Sequence, residues 1–323
     1  MTDQFGRNID YMRVSVTDRC NLRCAYCMPN GARMAEHDDI LRYEEILRVC
    51  GAAVSLGIVK FKITGGEPLV RKGCAGFIAR LKALPGVEQV TLTTNGLLLG
   101  AYLDELCAAG IDGINISLNT LRDGEYRELT GFSGNAAETA LKTLKDCVGR
   151  GLKIKVNTVL LAKTFDGLPE IAMLARDMTV DVRFIELMPL GEGAGMAGVP
   201  MQAALERLRA VWPDLRPVDE KRGNGPAVYY AASGLKGRIG FIGALSHMFC
   251  ASCNRVRLTA AGLLKPCLCY AEGVNLNELL RNGCTDVELR GAMRGCIEKK
   301  PPAHSFSNLE KITEHKKMNQ IGG

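Results

Sequence analysis

Residues 20–27 read Cys20-Asn21-Leu22-Arg23-Cys24-Ala25-Tyr26-Cys27, which spaces three cysteines as C-x3-C-x2-C. They come directly after an apolar run at residues 11–16 that predicts a buried strand. Three thiolates on one loop can hold three irons of a cubane cluster and leave the fourth iron open. An electron-transfer cluster or a structural zinc site would have four protein ligands. The spacing therefore predicts an iron–sulfur cluster that does chemistry, in preference to three thiols of a packed core.

The composition is that of an ordinary globular protein with a modest positive charge. The chain has 323 residues, of which 47% are hydrophobic and 24% are charged, and its net charge is +6. The basic residues form no long run, so they fit a small anionic partner at least as well as nucleic acid. We find no apolar run of about 18 residues and no charged-then-apolar leader. We therefore expect no membrane span, no secretory signal and a cytoplasmic protein.

The 13 cysteines divide into isolated residues and two groups. A long chain without an export signal indicates a reducing compartment, where grouped cysteines indicate metal binding and not disulfides. The first group is the one at residues 20–27, and the second comprises Cys250, Cys253 and Cys267. The isolated cysteines, expected to be core residues, are Cys50, Cys74, Cys107, Cys147, Cys269, Cys284 and Cys296.

Up to about residue 187, short β-branched runs alternate with longer amphipathic segments, which predicts a parallel sheet with helices outside it. Six strand–helix units are two short of a complete barrel. The predicted fold class is α/β, with an incomplete (β/α)6 TIM-type barrel over residues 1–190. Polar candidates follow the strands at their C-terminal ends, where active sites of such folds lie. The predicted strands are 11–16, 59–64, 90–94, 113–118, 153–160 and 180–187, and the helices 43–56, 77–84, 102–109, 136–150 and 168–177.

After residue 190 the regular alternation ends, which predicts a smaller α+β C-terminal domain over residues 191–323. Residues 191–198 form a glycine-rich connector. Cys269 is close in sequence to the second cysteine group. On these residues alone, a four-cysteine zinc site with Cys269 as its fourth ligand is therefore an alternative. The predicted elements are helices at 201–211 and 285–297 and strands at 227–231 and 238–242.

Several motifs together resemble a known family. The three-cysteine loop, with Tyr26 before its last cysteine and Gly65-Gly66-Glu67-Pro68 after the second strand, resembles the radical S-adenosylmethionine (SAM) enzymes. Within that superfamily, the block Cys250-x2-Cys253-Asn254-Arg255-x-Arg257-Leu258-Thr259 and the terminal Gly322-Gly323 look like the GTP 3′,8-cyclases of molybdenum cofactor biosynthesis. The resemblance runs from the N-terminus to the last residue.

The resemblance implies two 4Fe-4S clusters and two substrates. The first cluster, held by Cys20, Cys24 and Cys27, would bind SAM and cleave it to a 5′-deoxyadenosyl radical. The second, held by Cys250, Cys253 and Cys267, would bind the guanine ring of GTP and make Cys269 a bystander. The radical would remove the 3′ hydrogen of the ribose, and the resulting carbon would attack C8. The expected activity is that of a lyase.

The resemblance also implies roles for individual residues. The matched SAM contacts are Tyr26, Gly66, Ser117 and Met188, and the matched GTP contacts are Arg13, Lys62, Thr93, Lys155, Arg255, Val256 and Arg257. The terminal Gly322 and Gly323 would thread into the site and serve catalysis.

Three of the cations lie within apolar strand runs, namely Arg13, Lys62 and Lys155. An unpaired charge is costly to bury, so an anionic ligand would explain them. The alternative is that they point to solvent or pair with an acid. The chain departs from the family pattern at Lys62, where arginine is expected and two-pronged geometry is lost. The connector at 191–198 also lacks an expected aromatic residue.

The implied partners are GTP, SAM, a low-potential electron donor and cyclic pyranopterin monophosphate synthase, which would receive the product. A homodimer is compatible with the sequence, and we expect no nucleic-acid or membrane partner. The 4 histidines form no catalytic constellation. Two alternatives stay open: a radical SAM enzyme that modifies a peptide and carries an auxiliary cluster, and a non-enzymatic iron–sulfur or zinc-binding module.

Overall fold

A 12-stranded sheet organises the computed structural model, which describes residues 1–32 and 34–322. The strand order is β12-β11-β10-β1-β2-β3-β4-β5-β6-β9-β8-β7. The strands are β1 (Tyr11–Ser15), β2 (Lys60–Thr64), β3 (Gln89–Thr94), β4 (Gly113–Ser117), β5 (Ile154–Leu160), β6 (Asp181–Glu186), β7 (Arg216–Val218), β8 (Val228–Ala231), β9 (Ile239–Ile242), β10 (Arg255–Leu258), β11 (Leu263–Lys265) and β12 (Val274–Asn275).

The helices follow the strands in alternation over the first part of the chain. They are α1 (Tyr43–Ser55), α2 (Cys74–Lys82), α3 (Leu99–Ala108), α4 (Asp123–Thr130), α5 (Ala136–Gly149), α6 (Leu168–Asp177), α7 (Met201–Arg209), α8 (Leu276–Arg281) and α9 (Asp286–Glu298). All the strands and helices predicted from the sequence are present, with ends that differ by up to three residues. No apolar pattern predicted α4, because only Tyr126, Leu129 and Thr130 on it are buried.

The strands β1 to β6 are parallel neighbours, as predicted. The chain beyond residue 190 adds a parallel strand at each side of this group, because β10 pairs with β1 and β9 pairs with β6. Antiparallel strands continue the sheet at both ends. An unpaired strand edge leaves backbone groups unsatisfied, and β9 and β10 remove that problem for the six-strand group. The fold is therefore α/β with one large mixed sheet, and the division at residue 190 stays a prediction.

Successive side chains of the parallel strands point to opposite faces of the sheet. On β1, Met12 and Val14 belong to the main hydrophobic core, which also includes Phe61 and Ile63 of β2. The intervening Arg13 points to the opposite face. This alternation buries one face against the helices and leaves the other for polar residues, so the sheet itself positions the candidate site.

The isolated cysteines mostly pack in the interior. Cys50, Cys74, Cys147, Cys269 and Cys296 are buried, whereas Cys107 and Cys284 are half-buried. In the described chain, no helix has the length and apolar character needed to cross a membrane.

Candidate active site

A cavity of ≈ 340 Å³ lies at the C-terminal ends of the parallel strands, and both cysteine groups line it. We call Cys20, Cys24 and Cys27 the first triad, and Cys250, Cys253 and Cys267 the second triad. The strand ends that contribute include Thr64 of β2, Thr94 of β3 and Ser117 of β4. The topology therefore brings the two motifs together across one space, although about 220 residues of sequence separate them.

The first triad sits on the loop after β1, and α4 holds that loop. The backbone amide of Arg23 donates to the carbonyl of Thr130 (2.7 Å), and that of Ala25 donates to Leu129 (2.8 Å). Within the loop, the amide of Cys27 donates to the carbonyl of Cys24 (2.9 Å). The loop conformation thus depends on backbone bonds to the C-terminal turn of α4.

The glycine pair after β2 packs against the same loop. The amide of Gly66 donates to the carbonyl of Thr17 (2.8 Å), and the amide of Glu67 donates to that of Arg19 (2.8 Å). A β-carbon on Gly66 would collide with the Arg19 carbonyl oxygen, and one on Gly65 would lie 2.5 Å from the Thr17 oxygen. The sequence prediction made Gly66 a contact of SAM and gave no backbone reason for the glycine. The structure provides a backbone reason, while the contact of Gly66 with SAM stays a prediction.

Glu67 ties this motif to the next strand. Its carboxylate accepts hydrogen bonds from the Thr94 hydroxyl (2.8 Å) and from the amides of Asn95 (2.7 Å) and Leu69 (3.1 Å). Burial raises the pKa of Glu67 to about 7, although the hydrogen bonds act in the opposite direction. The Glu67 carboxylate therefore joins β2 to β3 beneath the cavity.

All four predicted SAM contacts line the cavity, namely Tyr26, Gly66, Ser117 and Met188. The Tyr26 hydroxyl accepts a hydrogen bond from the side-chain amide of Asn119 (3.0 Å), whose oxygen accepts from the Val159 amide (2.8 Å). Asn119 also lines the cavity, and the sequence prediction missed it. Its position just after β4, beside the other polar strand ends, was the available signal.

The second triad is assembled by a hairpin. Cys250 and Cys253 precede β10, and Cys267 follows β11, which pairs with β10 so that Arg257 faces Lys265. The hairpin turns at Gly262, where a positive φ of 83° favours glycine. The guanidinium of Arg7 donates to the Cys250 carbonyl (3.0 Å). These bonds bring Cys267 back to the loop that holds the other two cysteines.

The two triads differ in their electrostatic surroundings. Burial and the neighbouring thiols raise the pKa of Cys24 to about 12, and burial raises that of Cys27 to about 11. Burial also raises the pKa of Cys253, but the nearby charges of Arg255 and Lys300 outweigh it and bring the value down to about 7. The fraction of thiolate at Cys253 is therefore higher than for an ordinary cysteine even before metal binds.

Cys269 lies beside the second triad, and Cys267 packs against the same apolar cluster. Cys269 is fully buried in a small apolar cluster with Leu268, Phe306 and Ile312, and it does not line the cavity. Its sulfur accepts a hydrogen bond from the Ser305 amide (3.3 Å). In residues 1–32 and 34–322, no three His, Cys, Asp or Glu side chains are grouped so as to share one metal ion. Cubane ligands bind separate irons and stand further apart than ligands of one ion.

His304 is an addition to the sequence prediction, which placed no histidine at the site. It lines the cavity, and its backbone amide donates to the Cys250 sulfur (3.5 Å). Its ring stacks on Phe306 at 4.3 Å between centroids. The histidine is brought here by the chain segment after α9, which carries no motif that could have revealed it.

Buried and half-buried cations cover the polar face of the sheet next to the second triad. Arg257, Arg13 and Lys62 stand side by side on β10, β1 and β2, because Arg13 is in register with both others. Lys155 of β5 and Arg183 of β6 lie close enough for their charges to act on Lys62. We call these five residues the cation wall. Arg183 was missed, although it lies in an apolar strand run just as Arg13, Lys62 and Lys155 do.

The pKa values of the lysines in the cation wall are lowered by burial and by repulsion between the cations. Burial lowers the pKa of Lys62 well below its usual range, and the charges of Arg183 and Arg13 lower it further. Burial likewise lowers the pKa of Lys155 to about 8, with Arg183 adding to the shift. Within the described chain, Lys62 forms no ion pair with a carboxylate. The wall is therefore a set of cations that an anion would stabilise.

The predicted GTP contacts occupy three kinds of position. Arg13, Thr93, Arg255 and Arg257 line the cavity. Lys62 and Lys155 lie on the same face but are not among the lining residues. The Val256 side chain is fully buried in the main hydrophobic core, on the opposite face of β10. A contact of Val256 with GTP would therefore involve its backbone.

The C-terminal tail reaches the cation wall. The carbonyl of Gly322 accepts hydrogen bonds from Arg257 (3.0 Å) and Arg13 (3.4 Å), and its φ of 76° favours glycine. A β-carbon there would lie 3.1 Å from that of Ser15. The side chain of Asn319 donates to the Asp18 carbonyl (2.9 Å), which ties the tail to the first-triad loop. Gly323, the other predicted catalytic glycine, lies outside the described residues.

Known proteins match the whole chain. The family model for the Radical SAM superfamily matches residues 14–175, and the model for Molybdenum Cofactor Synthesis C matches residues 180–306. A GTP 3′,8-cyclase of Clostridium perfringens (strain 13 / Type A) is 42% identical over 325 residues, covering 100% of both chains. One of Heliobacterium modesticaldum (strain ATCC 51547 / Ice1) is 42% identical over 331 residues with the same coverage. The chain belongs to the GTP 3′,8-cyclase family.

Solved structures are similar to this member of the GTP 3′,8-cyclase family in fold. Streptococcus suis SuiB bound to S-adenosylmethionine matches with a TM-score of 0.66 at 15% identity, covering 97% of this chain and 78% of SuiB. Native anSMEcpe with bound AdoMet matches with a TM-score of 0.51 at 17% identity, covering 62% and 60%. The family resemblance seen in the sequence is confirmed by the relatives, and the radical SAM fold by these structures.

Proposed function

We propose that this chain is a radical SAM lyase that converts GTP to (8S)-3′,8-cyclo-7,8-dihydroguanosine 5′-triphosphate for molybdenum cofactor biosynthesis. One observation carries the proposal: both triads line one cavity together with Arg13 and Arg257 of the cation wall. Membership of the GTP 3′,8-cyclase family supports the same activity.

The donor set around the cavity fits two 4Fe-4S clusters. Each triad offers three thiols to the cavity, and Cys269, the candidate fourth ligand, is packed among apolar side chains. Three ligands leave one iron of each cluster open. When bound, the clusters would supply the one-electron chemistry that cleaves SAM and an open iron for the guanine ring.

The cation wall would bind the triphosphate. Arginine forks suit phosphate oxygens, and Arg13 and Arg257 stand on adjacent strands where both can reach one ligand. Lys62 would add charge without two-pronged geometry. Binding would relieve the repulsion that lowers the pKa of these groups. Arg255, Thr93 and the Val256 backbone are proposed further contacts.

The residues at the first triad would orient SAM. Tyr26 is fixed by its hydrogen bond with Asn119, and Ser117 and Met188 line the cavity from strand ends on the same rim. The amide of Gly66 is bonded to the Thr17 carbonyl, so the Gly66 carbonyl is the backbone group that would face the ligand. These residues would keep the reacting carbon of SAM near the ribose, where proximity favours one transfer over side reactions.

In the proposed reaction, the hydrogen on C3′ of the ribose leaves and C3′ bonds to C8 of guanine. One electron and one proton then complete the product, which is an isomer of GTP. The tail would close the cavity and exclude water, since Gly322 lies against Arg13 and Arg257. Gly322 and Gly323 are proposed to act there because larger residues would not fit.

The proposal also covers the domain organisation, the electron donor and the partners of the enzyme. Residues 1–190 would form an incomplete (β/α)6 TIM-type barrel, and residues 191–323 a smaller C-terminal domain with the second cluster that covers its open side. A low-potential donor would supply electrons in the cytoplasm. The product would pass to cyclic pyranopterin monophosphate synthase, and the enzyme would work as a monomer or a homodimer.

Anaerobic reconstitution followed by incubation with reductant, SAM and GTP tests the proposal. We expect 5′-deoxyadenosine together with a GTP isomer, separated by chromatography and identified by mass spectrometry. Cys267→Ser should abolish the isomer, whereas the matched variant Cys269→Ser should keep it. SAM cleavage without a GTP isomer would instead support a peptide-modifying enzyme. Bound metal without SAM cleavage would support a non-enzymatic module.

A further inference from the structure

Lys300 is a buried lysine at the second triad to which neither the sequence motifs nor the proposed reaction assign a role. It follows α9, is 3% exposed and lines the cavity. Its ammonium group donates to the carbonyl oxygens of Arg255 (2.8 Å) and Pro266 (2.5 Å). Arg255 stands two residues after Cys253, and Pro266 directly precedes Cys267. The ammonium group therefore joins the two chain segments that carry the triad.

The backbone of Lys300 is held as firmly as its side chain. The guanidinium of Arg7 donates to the carbonyls of Lys300 (3.4 Å), Pro301 (2.8 Å) and Cys250 (3.0 Å). Arg7 is itself paired with the buried Asp3 at 2.6 Å. One guanidinium thus fixes both the Lys300 segment and the remaining cysteine of the triad, so the ammonium group has a defined place beside the cysteines.

The charge of Lys300 has no carboxylate partner in the part of the chain that the structure describes. The lysines that pair with acids there are others: Lys60, Lys82, Lys163, Lys265 and Lys317. The sulfurs of Cys250 and Cys253 are close enough for their charges to interact with the ammonium group. A buried charge requires compensation, and thiolates of the second triad are the anions within reach.

Lys300 differs from the other cations near the second triad. Arg255 and Arg257 line the cavity and are proposed to bind the triphosphate, so their environment changes when GTP enters. The ammonium group of Lys300 donates two of its three N–H groups to protein carbonyls. Its position is thus set by the fold and not by the substrate.

We propose that Lys300 is a resident counter-charge of the second cluster, which holds the ligand segments together and raises the reduction potential of that cluster. The inference rests on the proposed function, because it requires a second 4Fe-4S cluster. Reduction adds an electron to a centre that three thiolates already make negative. A fixed positive charge nearby favours the reduced form, and it does so with or without GTP.

The test is a redox titration followed by electron paramagnetic resonance. The full-length chain carries Cys24→Ala and Cys27→Ala, so that only the second cluster contributes to the signal. Lys300→Met removes the charge, and Lys300→Gln removes it but keeps a donor for the two carbonyls. Lys300→Arg keeps the charge, and Lys299→Met changes an exposed neighbour as the matched control. Iron content and circular dichroism are measured on every variant.

In both neutral variants we expect the ratio of reduced to oxidised cluster at a fixed potential to fall about tenfold, which is roughly 59 mV for one electron. Lys300→Arg and Lys299→Met should titrate like the parent. Loss of iron from a folded Lys300→Met, with iron kept in Lys300→Arg, would also support the inference. If Lys300→Met does not fold, the reduction potential of Lys300→Gln provides the test.

An unchanged potential in the iron-loaded neutral variants would overturn the inference. So would an equal shift in Lys299→Met. The failure of the proposed function has a different signature: a parent protein that binds no iron at the second triad. The two failures are therefore distinguishable in one set of samples.

Discussion

The two cysteine triads use the same number of thiols in opposite surroundings. The first triad lies on a loop held by backbone bonds to α4 and to the glycine pair, and burial raises the pKa of Cys24 and Cys27. The second triad lies among Arg7, Arg255, Arg257 and Lys300, and the pKa of Cys253 is lowered to about 7. Backbone hydrogen bonds hold the first triad, and positive charges lie near the second, where they lower the pKa of Cys253 although burial raises that of Cys250.

The difference matches the ligands proposed for each triad. SAM carries a sulfonium cation, so a set of buried cations beside the first triad would repel it. GTP carries a triphosphate, which the cation wall would compensate. Under the proposal the cavity would have a cation-binding end and an anion-binding end, and this asymmetry would dictate which substrate occupies which cluster.

The largest expected effects come from removing one cysteine of each triad. Cys24→Ala should abolish both SAM cleavage and cyclisation. Cys253→Ala should lower cyclisation by roughly 10³-fold or more while SAM cleavage continues. Quantifying 5′-deoxyadenosine and the GTP isomer in the same reactions separates the two. If Cys253→Ala stopped SAM cleavage as completely as Cys24→Ala does, the triads would not have separate tasks.

Next in size is the effect of a side chain at Gly66. The β-carbon of Gly66→Ala would displace the Arg19 carbonyl and the first-triad loop, at a cost of about 1–3 kcal/mol. Iron should fall from about eight atoms per chain toward about four, because the second triad does not touch this loop.

Gly76→Ala is the matched control for that change. Gly76 lies on an exposed face of α2, where an added β-carbon would meet nothing within 4 Å. The variant should retain all iron and gain slightly in stability. An equal loss of iron in both variants would remove the backbone explanation of Gly66.

A smaller effect is expected from neutralising the wall. Lys62→Met should stabilise the ligand-free protein in thermal unfolding, because Lys62 is a buried cation among others. The same variant should bind GTP roughly tenfold more weakly by calorimetry. Lys142→Met, on an exposed face of α5, should change neither property. A ligand-free Lys62→Met that is less stable than the parent would contradict the repulsion argument.

The last expected effect depends on pH. Burial lowers the pKa of Lys155 from 10.5 to about 8, and a bound triphosphate would raise it again. GTP binding then takes up a proton above pH 8, so affinity should fall up to tenfold per pH unit as the pH rises from about 8. Lys155→Arg keeps its charge and should weaken this dependence, whereas Lys62, whose pKa is also lowered, stays titratable. Calorimetric titrations between pH 7 and 9.5 measure it, and a flat profile for the parent protein would contradict a lowered pKa of Lys155 in the GTP-free protein.

The sequence revealed what is local along the chain. The six parallel strands, their helices and the first triad all follow from short-range patterns at residues 11–187. The cations of the wall were visible because Arg13, Lys62 and Lys155 interrupt apolar runs. Arg183 interrupts a run in the same way and could have been found by the same reasoning.

The sequence could not reveal what depends on distant pairing. The place of β10 beside β1 follows from backbone hydrogen bonds between segments about 240 residues apart, and no local pattern encodes them. The same holds for Lys300 and His304, which reach the second triad through the segment after α9. The sequence also did not show why residue 66 must be glycine. The loop that packs against Gly66 belongs to an earlier part of the chain, and no local pattern reveals that contact.

The reduction potentials of the two clusters test the electrostatic contrast most directly. Each is measured without substrates in a full-length chain that keeps one triad, by titration followed by electron paramagnetic resonance. We expect the cluster on the second triad to be reduced at the higher potential, because cations surround it. An equal or higher potential at the first triad would contradict the account.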